Sequence, residues 1–138
     1  MRKAYLAFLL IAACCLQFAH GKSKPAPLPE EVFNAKTVYL VNRTGKQATL
    51  DSAYTEFQKW NRFTVVHDEN ADLRIVFSRS KSGEDGAATT MEVFVRGETD
   101  AAFETTEEFV TPDGLLQQLI IRDKSAKECV DDFWKRLK

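Results

Sequence analysis

The residues best suited to catalysis in this sequence are the neighbours His67 and Asp68. A carboxylate can orient an imidazole and keep it basic near neutral pH, so such a pair suits acid–base chemistry. Adjacent side chains on a strand point to opposite faces, however, and these two meet only if a turn brings them together. A polar residue at a strand end is the favoured interpretation of His67, and catalysis is the alternative.

Cys129 is a second candidate, because a thiolate with His67 as its base would form a nucleophilic pair. A reactive thiol needs a partly exposed, electropositive site. Glu128, Asp131 and Asp132 flank Cys129 instead, and negative charge raises a thiol pKa. We therefore favour a buried structural thiol.

Carboxylates supply the remaining candidate chemistry. A small hydrolase could use Asp68, Asp72 and Glu104 if at least two of them converged in a pocket. Acidic residues are densest between Glu98 and Glu108, without the spacing of an EF-hand calcium loop. Strand alternation predicts instead that Glu104 lies on a solvated outer face, where charge discourages aggregation of an edge strand.

No cofactor or metal site is predicted. His67 and Cys129 alone cannot build a Cys/His zinc site. The glycine-containing segment 82–86 lacks the Lys-Ser/Thr ending of a phosphate-binding loop. We expect no cofactor, and we assign no residue as catalytic, cofactor-binding or metal-ligating.

The first 21 residues have the pattern of an export signal. Met1-Arg2-Lys3 is cationic, an apolar run follows to Phe18, and small residues precede Lys22. Cleavage between Gly21 and Lys22 would release the chain into the periplasm or outside the cell. The segment 11–14, Ile-Ala-Ala-Cys, instead resembles a lipobox, in which an acylated Cys14 would anchor a lipoprotein to the outer membrane. Release is favoured because the apolar run continues past Cys14.

Composition limits what the processed chain can be. The signal contains two of the 19 basic residues and none of the 20 acidic ones, so the remaining 117 residues carry a net charge of −3. That length fits one domain. The charge gives no attraction to nucleic acid, so we expect none as a partner. Membrane contact is expected only if Cys14 is lipidated.

The hydrophobic pattern predicts an α/β (α+β) domain over residues 32–138, behind a proline-rich tether at 22–31. The segment 37–41 suits a central strand. Leu50, Ala53, Phe57 and Trp60 trace a helix face, with Thr49 as its cap. A strand at 63–66 completes a parallel crossover.

The second half of the domain is predicted as strands and one helix. Leu73, Ile75 and Phe77 share one face of a half-buried strand, and 78–90 is predicted as a mobile loop. A hairpin follows, reversing at 96–100. Residues 115–121 fit either helix or strand. A capping box of Ser125 and Glu128 opens a final helix, so the whole forms a mixed sheet of about five strands with one crossover helix and a C-terminal helix.

Several segments resemble small exported bacterial proteins of no assigned activity. They are 35–42, 59–66 (Lys-Trp-Asn-Arg-Phe-Thr-Val-Val), 71–77 (Ala-Asp-Leu-Arg-Ile-Val-Phe), 103–105 and 124–126. The likeness covers roughly 32–107 and 124–137 and specifies fold positions better than chemistry. The element order is also similar to the amino-terminal domain of the Tol-system periplasmic protein. That second likeness rests on topology alone and implies an interaction module.

These observations favour an exported, non-enzymatic domain that binds a protein or other envelope component through a sheet edge or the segment 78–90. The alternatives are the carboxylate-dependent hydrolase, a lipid-anchored envelope lipoprotein and a small-ligand carrier. The sequence identifies neither the partner nor the ligand.

Overall fold

The computed structural model of the protein describes residues 26–82, 86–109 and 123–138. The predicted export signal with Cys14, Gly21 and Lys22 lies outside the described residues, as does the undecided segment 115–121.

Five strands form one mixed sheet in the order β2-β1-β3-β4-β5. β1 pairs in parallel with β2 and β3, whereas β3, β4 and β5 pair antiparallel. This confirms the predicted α+β class. The elements in chain order are α1 (Glu30–Asn34), β1 (Thr37–Asn42), α2 (Gln47–Trp60), β2 (Thr64–Val66), β3 (Leu73–Ser82), β4 (Gly86–Val95), β5 (Phe103–Phe109) and α3 (Lys124–Leu137).

The predicted crossover is present as β1, α2 and β2. α2 ends at Asn61, which has φ 50° and donates its backbone N–H to the carbonyl of Gln58. Asparagine tolerates this left-handed conformation, which is why the helix stops there. The prediction that Thr49 caps α2 is wrong: the helix begins at Gln47, and Thr49 is buried in its first turn.

One core lies between the sheet and the helices. The side chains of Leu73, Ile75 and Phe77 are all fully buried on one face of β3, as predicted. Folded structure begins earlier than the proline-rich composition indicates, because Leu28 and Val32 belong to this core. The other buried side chains include Val38, Ala53, Phe57, Met91, Val93, Val130 and Phe133.

The predicted mobile loop at 78–90 is wrong for 78–82 and 86–90, the part of it that the structure describes. β3 and β4 continue as a paired hairpin from Leu73↔Val95 to Ser82↔Gly86. Backbone hydrogen bonds hold such a ladder without requiring an apolar face. Polar residues can therefore occupy these strands. Ser80 on β3 and Thr90 on β4 are an example, with their hydroxyls 3.3 Å apart.

α3 packs against β4, β5 and α2 through an apolar stripe whose residues are three or four positions apart. Ala126, Val130, Phe133 and Leu137 are all buried. Of the described residues, no helix combines the length and apolar character needed to cross a bilayer.

The predicted capping box of α3 is wrong, because Asp123 is the N-cap and accepts the N–H of Ala126. On the exposed side of α3, Lys127 pairs with Asp131 at 2.5 Å and Lys135 pairs with Asp132 at 2.8 Å.

Candidate functional site

His67 and Asp68 lie exposed in the turn after β2. The Asp68 carboxylate accepts hydrogen bonds from the backbone and side-chain nitrogens of Asn70, at 2.9 and 3.0 Å. This is the Asx turn that aspartate commonly makes. Within the described chain, no hydrogen bond joins the His67 and Asp68 side chains. The visible role of Asp68 is to shape the turn that leads into β3.

Asp72 clamps the start of β1 to β3 and β4. Its carboxylate accepts the backbone N–H groups of Lys36 and Thr37 at 2.9 and 3.0 Å, and it pairs with Arg96 at 2.7 Å. Its own N–H donates to the Thr37 hydroxyl at 2.9 Å. These contacts, led by the Lys36 N–H, lower the pKa of Asp72. Asp72 is thus ionised at neutral pH and unsuited to act as a general acid.

The sheet register keeps Asp72 and Glu104 apart. Glu104 on β5 pairs with Glu92 on β4, which pairs with Val76 on β3, four residues beyond Asp72. Two strand spacings and four residue rises separate the two carboxylates by roughly 16 Å. The structure therefore does not bring together Asp72 and Glu104, one of the carboxylate pairs that the hydrolase alternative could use.

The depression beside Asp72 is shallow. Its volume is about 320 Å³, and its lining is Glu31, Asn34, Ala35, Asp72, Val95 and Arg96. Two of its three charged lining residues, Asp72 and Arg96, form an ion pair with each other. In the described ranges, no three His, Cys, Asp or Glu side chains are grouped to hold a metal ion.

A buried polar network that the sequence did not predict lies where α2 and α3 begin. Asp123 is 5% exposed. Its carboxylate accepts the hydroxyls of Thr49 at 2.5 Å and Ser125 at 2.6 Å, and its N–H donates to Ser52 at 2.9 Å. The Ser125 hydroxyl also lies 2.7 Å from that of Thr89. The network joins α2, α3 and β4.

Burial favours the neutral acid, but the hydrogen bonds from Ser125, Thr49 and the Ala126 N–H outweigh it and lower the pKa of Asp123. The Asp123 carboxylate is therefore charged at neutral pH, and both of its oxygens accept hydrogen bonds. An aspartate directly before a predicted helix was the available sequence signal for this cap. Its partner Thr49 lies 74 residues earlier, so no local pattern could have revealed the network.

Two acidic side chains, Glu107 on β5 and Asp132 on α3, interact where the strand packs against the helix. Burial, followed by the neighbouring Asp132, raises the pKa of Glu107. The Lys135 ammonium lowers the pKa of Asp132. Thr105 also donates to Asp132, at 3.5 Å. These contacts hold one face of β5 against α3, and the other face of β5 is exposed to solvent.

Cys129 is buried, as predicted, and its thiol donates to the carbonyl of Thr89 at 3.4 Å. Burial, together with the charge of Glu107, raises the pKa of Cys129 to about 12. The thiolate fraction at pH 8 is then roughly a thousandfold below that of a free cysteine.

We expect the native processed chain to resist a thiol reagent such as dithionitrobenzoate at pH 8 and to react fully in urea. The time course of absorbance measures this. Rapid labelling of the folded protein at one equivalent would contradict a buried structural thiol. Free cysteine at the same pH is the control for reagent activity.

β5 is the edge of the sheet beside α3. Phe103 and Thr105 face the helix, whereas Glu104 and Thr106 are exposed on the opposite face, as predicted for Glu104. Within the described ranges, only β4 pairs with β5. Its outer side therefore offers backbone donors and acceptors next to an acidic side chain.

No family model matches the chain, and no curated protein matches it. Among solved structures, it is similar to TolB from Acinetobacter baumannii, with TM-score 0.49 and 12% identity over 82% of this chain. The chain spans 30% of that protein's length. It is also similar to a PelC dodecamer subunit from Paraburkholderia phytofirmans (TM-score 0.44, 14% identity, 83% of this chain and 92% of that one). A third similar structure is uncharacterized lipoprotein B from Nitrosomonas europaea (TM-score 0.42, 14% identity, 80% and 84%).

Proposed function

We propose that this protein is an exported, non-enzymatic module of the bacterial cell envelope, which binds an extended segment of a partner protein along the outer side of β5. The observation that carries the proposal is the position of β5 at the edge of the sheet. A peptide that adds as a sixth strand gains main-chain hydrogen bonds, and alternate side chains determine which peptide binds.

The setting of β5 supports strand addition. α3 fixes one face of the strand, because Phe103 packs against Phe133 with ring centroids 5.3 Å apart and Thr105 bonds Asp132. A strand held in this way loses little conformational freedom on binding. The exposed Glu104 favours a partner with lysine or arginine opposite it, since opposite charges stabilise cross-strand pairs.

The hydrolase alternative has less support. The Asp72 carboxylate already accepts hydrogen bonds from Lys36 and Thr37 and pairs with Arg96. Glu104 lies two strands away from it in the sheet. Asp68 is engaged with Asn70.

Reversing the charge at β5 tests the proposal. We expect Glu104→Lys to weaken partner binding about tenfold, because an attraction becomes a repulsion at the edge. The measurement is retention of envelope proteins by immobilised wild-type and variant chains, followed by affinity measurement on each retained protein.

Glu98→Lys is the matched control, because Glu98 is an exposed glutamate in the β4–β5 turn and not on the strand. The control is expected to bind like the wild type. Equal binding by all three proteins would contradict recognition along β5. Hydrogen exchange of amides 103–108 then shows whether the retained partner covers the strand.

A further inference from the structure

Aromatic and cationic side chains lie next to each other at the end of the domain where α2 and α3 end. Trp60 and Trp134 stack with centroids 4.6 Å apart and planes 24° apart, and both are partly exposed. The Lys138 ammonium lies 5.6 Å from the Trp134 ring centroid, and the Arg62 guanidinium lies 5.3 Å from that of Phe63. We name this surface the tryptophan end.

Phe33 extends the tryptophan end across α1. Arg62 donates to the Phe33 carbonyl at 3.0 Å, which joins the two elements. The Phe33 side chain is 44% exposed, and among the described residues only Tyr54 on α2 is a comparably exposed large apolar side chain, at 41%. The exposed Phe33 ring, joined to this end through Arg62, adds to the apolar surface of the two partly exposed tryptophans, which water solvates poorly.

The positive charges at this end differ in whether a carboxylate neutralises them. Lys59 is paired with Glu56 at 2.6 Å and Lys135 with Asp132 at 2.8 Å, which neutralises both. In the described part of the chain, neither Arg62 nor Lys138 has an ion-pair partner. Glu30 and Glu31 on the first turn of α1, and the terminal carboxylate of a chain that ends at Lys138, oppose these charges, so any attraction to an anionic surface is moderate.

The amino-terminal segment joins the domain at the same end. The guanidinium of Arg136, on the last turn of α3, donates to the carbonyl of Ala26. Ala26 therefore lies at the end of the domain where α3 ends, and Lys22 and Lys24 precede it in the sequence. Any anchoring of that segment would bring this end of the domain towards the membrane.

We propose that the tryptophan end docks on the surface of a membrane that contains anionic phospholipid. Tryptophan rings partition into the interface between headgroups and acyl chains, and lysine and arginine beside them are attracted to anionic lipid. This proposal rests on residues other than Glu104 and the outer side of β5, so it does not depend on the β5 interaction.

The two tryptophans of the chain both lie at this end, so intrinsic fluorescence reports on it alone. The protein to test is the chain from Lys22 to Lys138, which carries no acyl group and retains every described residue. With phosphatidylglycerol–phosphatidylethanolamine vesicles, we expect the emission to move to shorter wavelength and the protein to sediment with the vesicles. With phosphatidylcholine vesicles, we expect neither effect.

Charge removal gives the decisive comparison. Each basic residue lost at a membrane surface weakens binding about fivefold, so Arg62→Gln with Lys138→Gln should weaken it roughly 25-fold. Arg43→Gln with Lys81→Gln removes two exposed cations elsewhere and should leave binding unchanged. Phe33→Ser should weaken binding, and the matched Tyr54→Ser should not. Circular dichroism verifies that every variant is folded.

Three results with vesicles would overturn the proposal: no emission shift with anionic vesicles, equal binding to both vesicle types, or equal losses in the test and control variants. A shift produced by an envelope protein and not by vesicles would assign the tryptophan end to a protein partner, and would equally overturn it.

Discussion

Phe133→Ala is expected to lower the free energy of unfolding by about 4 kcal/mol, the range of a buried phenylalanine truncation. Phe133 is fully buried and its ring meets those of Trp60, Phe63 and Phe103. It thus joins α3 to α2 and to β5. Urea unfolding followed by circular dichroism measures the loss.

Phe33→Ala is the control for this substitution, because it removes the same atoms from a side chain that is 44% exposed. We expect it to cost less than about 1 kcal/mol. Phe133→Leu, which keeps most of the apolar volume, should fall between the two. Similar losses at Phe33 and Phe133 would contradict the described core.

Asp123→Ala is expected to lower the free energy of unfolding by about 3 kcal/mol. The loss of the helix cap accounts for about 1 kcal/mol. The buried hydroxyls of Thr49 and Ser125, 0% and 2% exposed, lose their acceptor, which costs roughly 1 kcal/mol each. Urea unfolding at pH 7 measures the sum.

Asp123→Asn separates the charge from the cap, because the amide oxygen can still accept the Ala126 N–H. The pKa of Asp123 is lowered in the folded protein. The contribution of its charge to stability is therefore present above its unfolded pKa of about 4 and is lost as the pH falls through the folded pKa.

The difference in unfolding free energy between wild type and Asp123→Asn should consequently narrow between pH 7 and pH 2. Asp72 and Asp132 also have lowered pKa values and destabilise both proteins in acid alike, so the comparison isolates Asp123. A difference independent of pH would show that the Asp123 charge does not stabilise the fold.

The amino-acid sequence by itself determined the elements whose residues repeat at a fixed spacing. The stripe of Ala126, Val130, Phe133 and Leu137 predicts α3, and the alternation of Leu73, Ile75 and Phe77 predicts the buried face of β3. Asn61 marks the end of α2. These signals are local, because helix and strand periods place side chains on one face whatever lies opposite.

Only the tertiary structure decided how distant polar residues are used. The hairpin at 78–90 has no apolar period, and its stability comes from the pairing of β3 with β4. Asp72 becomes a clamp because the pairing of β1 with β3 brings the N–H groups of Lys36 and Thr37 to its carboxylate. These two residues lie 36 and 35 positions earlier in the sequence. Asp123 becomes a buried hub because Thr49 arrives from α2.

The two candidate surfaces also combine local features, which the sequence predicts, with contacts between distant segments, which it does not. The exposed position of Glu104 follows from alternation along its own strand, whereas its place on an edge depends on the strand order. The stacking of Trp60 on Trp134 likewise joins two helices that are separate in sequence. A hydrogen bond or ring contact between distant segments depends on the packing of the whole chain, and no local spacing encodes it.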